Sequence, residues 1–81
     1  MRIDVLYFAG AREAAGMSSE PVDVPEGTTL ASLRTVLEIR HPSLASAWGA
    51  TRFAVGEAFA PPEQALLAGD VVALIPPVSG G

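Results

Sequence analysis

Apolar and polar positions change period several times along the chain, and each change marks an element. Residues 2–9, RIDVLYFA, alternate as a strand does, with Ile3, Val5 and Tyr7 on one face and Leu6 and Phe8 on the other. GAREAAG follows, bounded by Gly10 and Gly16 and long enough for one or two helical turns. Gly16 suits the left-handed position that ends a helix. EPVDV (20–24) is a second short strand, and Pro21 makes it an edge or strand-start segment. PEGT (25–28) is a turn.

The strongest helical signal comes next. Thr28 or Thr29 can cap it, and Leu30, Leu33, Val36 and Leu37 recur at three- and four-residue spacing. Pro42 disfavours helical backbone at His41, so the helix should end near Arg40. SLASAWG (43–49) adds a turn with Leu44, Ala47 and Trp48 inward. TRFAVG (51–56) and EAFA (57–60) read as extended segments around a turn at Gly56. Residues 61–70 form a connection whose Leu66 and Leu67 are expected to tuck against the core, with Asp70 closing a turn before VVALI (71–75), an uninterrupted apolar strand.

One long helix among four or five short strands predicts an α+β domain with one sheet folded over that helix. The last strand is apolar on both faces and belongs in the centre. Placing it parallel to the first strand meets that need and yields a β-grasp, a mixed sheet of four to five strands over residues 1–75. Pro76-Pro77 removes two donors and holds the backbone extended, so residues 76–81 are expected to leave the sheet as a tail.

Composition narrows the chemistry. The 81 residues suffice for one small domain, with no Cys, no Lys and one His. That excludes a disulfide scaffold, a thiolate metal site, a Cys nucleophile and a Schiff-base lysine. No metal site is expected. All five basic residues are Arg, and the net charge is −4. An acidic chain without a basic run is a poor ligand for nucleic acid or an anionic membrane surface. No apolar run approaches the roughly 18 residues of a membrane span. The start reads as a strand and not as a leader, which gives a cytoplasmic expectation. Charged residues make up 17% against about 25% in an average domain, so some apolar surface is expected to meet a partner.

Few side chains remain as candidates. His41, at a helix end before a proline, is read as structural, its ring interacting with the carbonyl end of the helix dipole. The carboxylates Asp4, Glu13, Asp23, Glu38 and Asp70 show no pairing in the sequence and read as solvated surface. Arg12 and Glu13 follow directly on the outward-facing Phe8, and fit either a solvated helical turn or a contact surface, where Arg is enriched. Gly80 and Gly81 have no side chains, so such an end can thread a narrow channel and expose its carbonyl carbon. A terminal carboxylate is a poor electrophile until activated, most simply as an acyl-adenylate. The chain has no phosphate loop for ATP, so a partner enzyme would have to supply that step.

The stretches VLYFAGAREAAG (5–16), PEGTTL (25–30) with its Leu-rich helix, FAVG (53–56) and AGDVVALIPPVSGG (68–81) resemble the small subunits of molybdopterin synthase, a ubiquitin-like family of sulfur carriers. Phe8, Ala9, Arg12 and Glu13, together with the Pro-Pro-Val-Ser-Gly-Gly end, are its more specific elements. The resemblance spans essentially the whole chain. It implies that an E1-like adenylyltransferase uses ATP to adenylate Gly81 and that a sulfur donor converts it to a thiocarboxylate. No cofactor is bound by the chain itself. The tail, Pro76, Pro77, Val78, Ser79, Gly80 and Gly81, would enter the large subunit's active site and pass sulfur to cyclic pyranopterin monophosphate. Catalytic acid–base groups would belong to the large subunit, in a heterotetramer. The implied partner surface includes Phe8, Arg12, Phe59 and Ile75. Where the family usually has Asn after Ala-Val, this chain has Gly56. Two alternatives stay open: a related carrier for thiazole or tRNA thiolation or for protein conjugation, and a binding module whose Gly-Gly end is incidental.

Overall fold

The structure is a computed structural model and describes residues 1–75. Strand β1 (Arg2–Tyr7) runs into helix α1 (Ala9–Ala15), then β2 (Ser19–Asp23) and helix α2 (Leu30–Arg40). Two 3-10 turns, Pro42–Ser46 and Trp48–Ala50, lead to β3 (Arg52–Val55), β4 (Ala58–Phe59) and β5 (Val71–Ile75). The sheet order is β2-β1-β5-β3-β4, with β1 and β5 parallel and the other pairs antiparallel. The uniformly apolar strand lies in the centre and Pro21 lies on an edge strand, the β-grasp arrangement expected from the sequence.

The alternation along β1 places Ile3, Val5 and Tyr7 in the core at 1% exposure or less. Val72 and Leu74 of β5 and Phe53 of β3 continue that inner face. Leu30, Leu33 and Leu37 of α2 are fully buried against it, each worth about 1.5–3 kcal/mol of transfer free energy. Val36 only reaches the edge of the cluster, and Ile39 on the far side of α2 is exposed. Leu44 and Trp48 close the bottom of the core, with the indole 5.6 Å from the Phe53 ring.

Helix ends follow local chemistry. Thr29 is the N-cap of α2, its hydroxyl accepting from the Ser32 amide at 3.2 Å. Two further amides at that end, Leu30 and Ala31, donate to the carbonyls of Gln64 and Pro62, so the 61–70 connection satisfies helix donors that would otherwise be orphaned. Gly16 ends α1 at φ +75. The expectation for the 61–70 connection needs one correction. Leu66 is buried at 2%, but Leu67 is 70% exposed. The backbone there is extended, with the Leu66 amide bonded to Thr28, and neighbouring side chains on such backbone point opposite ways. Leu67 instead starts the turn closed by Asp70, whose carboxylate accepts from the Leu67 amide at 2.8 Å.

Candidate functional site: the outer face of the sheet

Helix α2 covers one face of the sheet. On the other face the pairing registers set Leu6 beside Ala73, Ala73 beside Ala54, and Ala54 beside Phe59. Two alanines therefore occupy the middle of a row with larger side chains at its ends. The result is a groove of about 620 Å³. Ala54 and Ala73 form its floor, while Phe8, Phe59, Val71 and Ile75 stand around it. Phe8 is 45% exposed and Phe59 65%. A concave apolar patch of this kind is the surface a small domain keeps for a partner.

The local backbone explains the rim. Gly56 and Glu57, joining β3 to β4, take φ +55 and +73, the pair of positive angles that a type I′ hairpin requires. At the other end Ala9 adopts φ +47 as the chain turns from β1 into α1. That conformation is costly for a residue with a Cβ, and it follows immediately on Phe8. Among the described residues Glu57 is the sole titratable group on the groove wall. Among the described residues the groove wall therefore holds neither a nucleophile nor an acid–base pair, and no three metal-ligating side chains come together. Its lower edge is Ile75, the last described residue, from which the chain runs on into 76–81.

The ThiS family matches residues 5–81. This chain belongs to that family. The chain is 39% identical over 83 residues to the molybdopterin synthase sulfur carrier subunit of Chlamydomonas reinhardtii, covering 100% of both chains. It is likewise 39% identical to the human molybdopterin synthase sulfur carrier subunit, covering 99% of this chain and 94% of that one. Among solved structures, the small archaeal modifier protein 1 of Haloferax volcanii superposes with a TM-score of 0.87 at 28% identity, over 95% of this chain and 98% of that one.

Of the site residues expected from the sequence, Phe8, Phe59 and Ile75 meet on the groove of this ThiS-family chain. Arg12 is exposed on α1 and does not line it. Pro76, Pro77, Val78, Ser79, Gly80 and Gly81 lie outside the described residues. Ala54 and Val71 were not legible as site residues, because only the β3–β5 register places Ala54 beside Ala73, and only the β1–β5 register places Val71 beside Asp4, two residues along β5 from Ala73. A pair of small residues at strand centres is the one signal that could have pointed to the floor.

A second polar cluster lies on the helix side of the sheet. Glu20 accepts from the Tyr7 hydroxyl at 2.6 Å and from Arg40 Nη1 at 2.7 Å, and its second oxygen also meets His41 Nε2. Burial alone would raise the Glu20 carboxyl, but the hydrogen bonds from Tyr7, His41 and Arg40 outweigh it and hold the group below the ordinary range. Burial first, and then the bond to Glu20, push the Tyr7 hydroxyl upward. His41, read from the sequence as facing the carbonyl end of the helix, has a carboxylate from β2 as its side-chain partner, with the Tyr7 ring edge-on at 5.8 Å. Two carboxylates read as unpaired have partners: Asp23 faces Arg2 at 3.6 Å and Glu38 faces Arg34 at 3.4 Å. Both pairs are solvent-exposed and contribute little.

Proposed function

We propose that this chain is the sulfur carrier subunit of molybdopterin synthase and that Gly81 is the residue that carries sulfur. The observation that supports the reading most directly is the apolar groove on the outer face, which ends at Ile75, where the Pro76-to-Gly81 segment begins. A partner seated on Phe8, Phe59 and Ile75 would receive the tail at the edge of its own active site. Full-length kinship with two proteins named as sulfur carrier subunits of molybdopterin synthase supports the same reading. Arg12, exposed beside Phe8, is proposed to extend the contact.

In this reading an E1-like adenylyltransferase binds the ATP. The Gly81 carboxylate attacks the α-phosphate, pyrophosphate leaves, and an acyl-adenylate forms. Hydrosulfide released by a donor then attacks the carbonyl carbon, AMP leaves and a proton is lost, which gives the thiocarboxylate. The tail, residues 76–81, enters the large synthase subunit, which supplies the acid–base groups that move sulfur onto cyclic pyranopterin monophosphate. Both reactions are proposed to take place in the cytoplasm. No helix among the described residues is long and apolar enough to cross a membrane.

The test is intact mass after incubation with the activating enzyme, ATP and a sulfur donor. One oxygen replaced by sulfur at Gly81 is the expected result, and deletion of Gly81 should abolish it with the melting temperature unchanged. An unmodified terminus, where a control carrier reacts, refutes the carrier reading. Adding the large subunit and the pterin precursor then separates molybdopterin formation from a second reading as a protein modifier, favoured by the likeness to small archaeal modifier protein 1. Without Lys, the chain offers no side-chain amine for linking its own copies.

A further inference from the structure

A second groove, of about 360 Å³, lies between α2 and the β3–β4 hairpin. Arg34, Trp48, Arg52, Phe59 and the Pro61-Pro62 pair form its walls, and among the described residues no carboxylate lines it. Each arginine is laid on an aromatic ring: Arg34 sits 4.9 Å from the Trp48 ring centroid and Arg52 5.7 Å from that of Phe59. Stacking holds a guanidinium plane in place and leaves its N–H edges open to acceptors. Arg34 has one exposed contact to Glu38 at 3.4 Å. Among the described residues Arg52 has no carboxylate within ion-pair distance, whereas Arg2 and Arg40 each have one. In a chain of net charge −4, two of five cations thus converge on one strip of aromatic and proline surface. Trp48 Nε1 adds a buried donor with no partner among the described residues.

We infer that this groove docks an extended acidic segment of a partner protein. The two arginines supply the charge complementarity, and the rings and prolines supply contact for the backbone and side-chain stems between carboxylates. A small anion would use only the arginines and leave that apolar surface uncovered. Phe59 lines both grooves, so one partner can cover the outer face and lay an acidic strand around the sheet edge. The inference does not depend on sulfur chemistry at Gly81.

The experiment is an NMR titration of the full 15N-labelled chain with a capped tetra-glutamate peptide. The Trp48 indole N–H and the Arg34 and Arg52 Nε–H signals report. Expected are saturable shifts that weaken as salt is raised. The double variant R34Q/R52Q should bind roughly three- to thirtyfold more weakly, two exposed charge pairs' worth, while its amide signals away from the groove stay in place and show the fold retained. Absent shifts, or equal shifts from a tetra-glutamine peptide, overturn the proposal. Equal shifts from inorganic phosphate assign the groove to small anions and also overturn it. Shifts that appear with protein concentration alone assign it to a second copy of the chain, with the same consequence.

Discussion

Replacing Glu20 by Gln keeps the volume and one acceptor oxygen but removes the charge that gathers Tyr7, Arg40 and His41. Tyr7 is 1% exposed, so its hydroxyl cannot turn to water for a substitute acceptor. Hydrogen bonds to a charged group contribute about 1.5–3 kcal/mol. The Arg40 side chain is 44% exposed, and its pair adds less than about 1 kcal/mol. The variant should therefore lose about 2–3 kcal/mol at pH 7, seen as a melting temperature roughly 10–20 °C lower for a domain of this size. The loss should depend on pH. Because the folded carboxyl titrates below its ordinary value, its contribution is complete above the unfolded value of about 4.3 and disappears as pH falls through the folded one. Urea denaturation of both proteins from pH 7 down to pH 3 measures this. A gap under about 0.5 kcal/mol at pH 7, or one undiminished at pH 3, refutes the reasoning. Because the cluster lies across the sheet from the groove, partner binding by the folded variant should be unchanged.

Two other substitutions probe the groove and its hairpin. Phe59→Asp should weaken binding to the proposed large-subunit partner at least tenfold, as loss of a hot-spot residue does, while stability moves by less than about 0.5 kcal/mol because the ring is 65% exposed. Calorimetric titration beside a thermal melt checks both, and a collapse of the fold contradicts the assignment of Phe59 to a contact face. At Gly56 an added Cβ meets nothing within 4 Å, so Gly56→Ala isolates the backbone cost of φ +55. It should destabilise by about 1–2 kcal/mol, and Gly56→Asn by less, measured by chemical denaturation.

Period and punctuation made most of the architecture legible. Alternation in β1 named both its faces, the Leu spacing named the buried stripe of α2, and an apolar run between a turn and two prolines named the central strand. Leu66 and Leu67 could not be told apart, since both are apolar in an irregular segment and only the hydrogen bond from Leu66 to Thr28 fixes which one turns inward. The Glu20 cluster was illegible for a related reason. Its members are 13 to 21 residues from Glu20, and no local pattern marks a carboxylate whose partners arrive from β1 and the far end of α2.

The sequence alone determined what this chain lacks and the order and kind of its elements, with their ends to within about two residues, because residue chemistry, caps, prolines and hydrophobic period act over a few positions. Without Cys or Lys, and with a single His, it could carry little chemistry of its own. It also set Phe8 on the face of β1 opposite Ile3, Val5 and Tyr7, while Ile75 was named only through the resemblance. What only the tertiary structure decided is that they share a surface. Strand pairing across long sequence separations sets Ala73 and Ala54 side by side between Leu6 and Phe59, and the small side chains there turn a flat sheet face into a groove. Register is a property of two strands together, and no single segment encodes it.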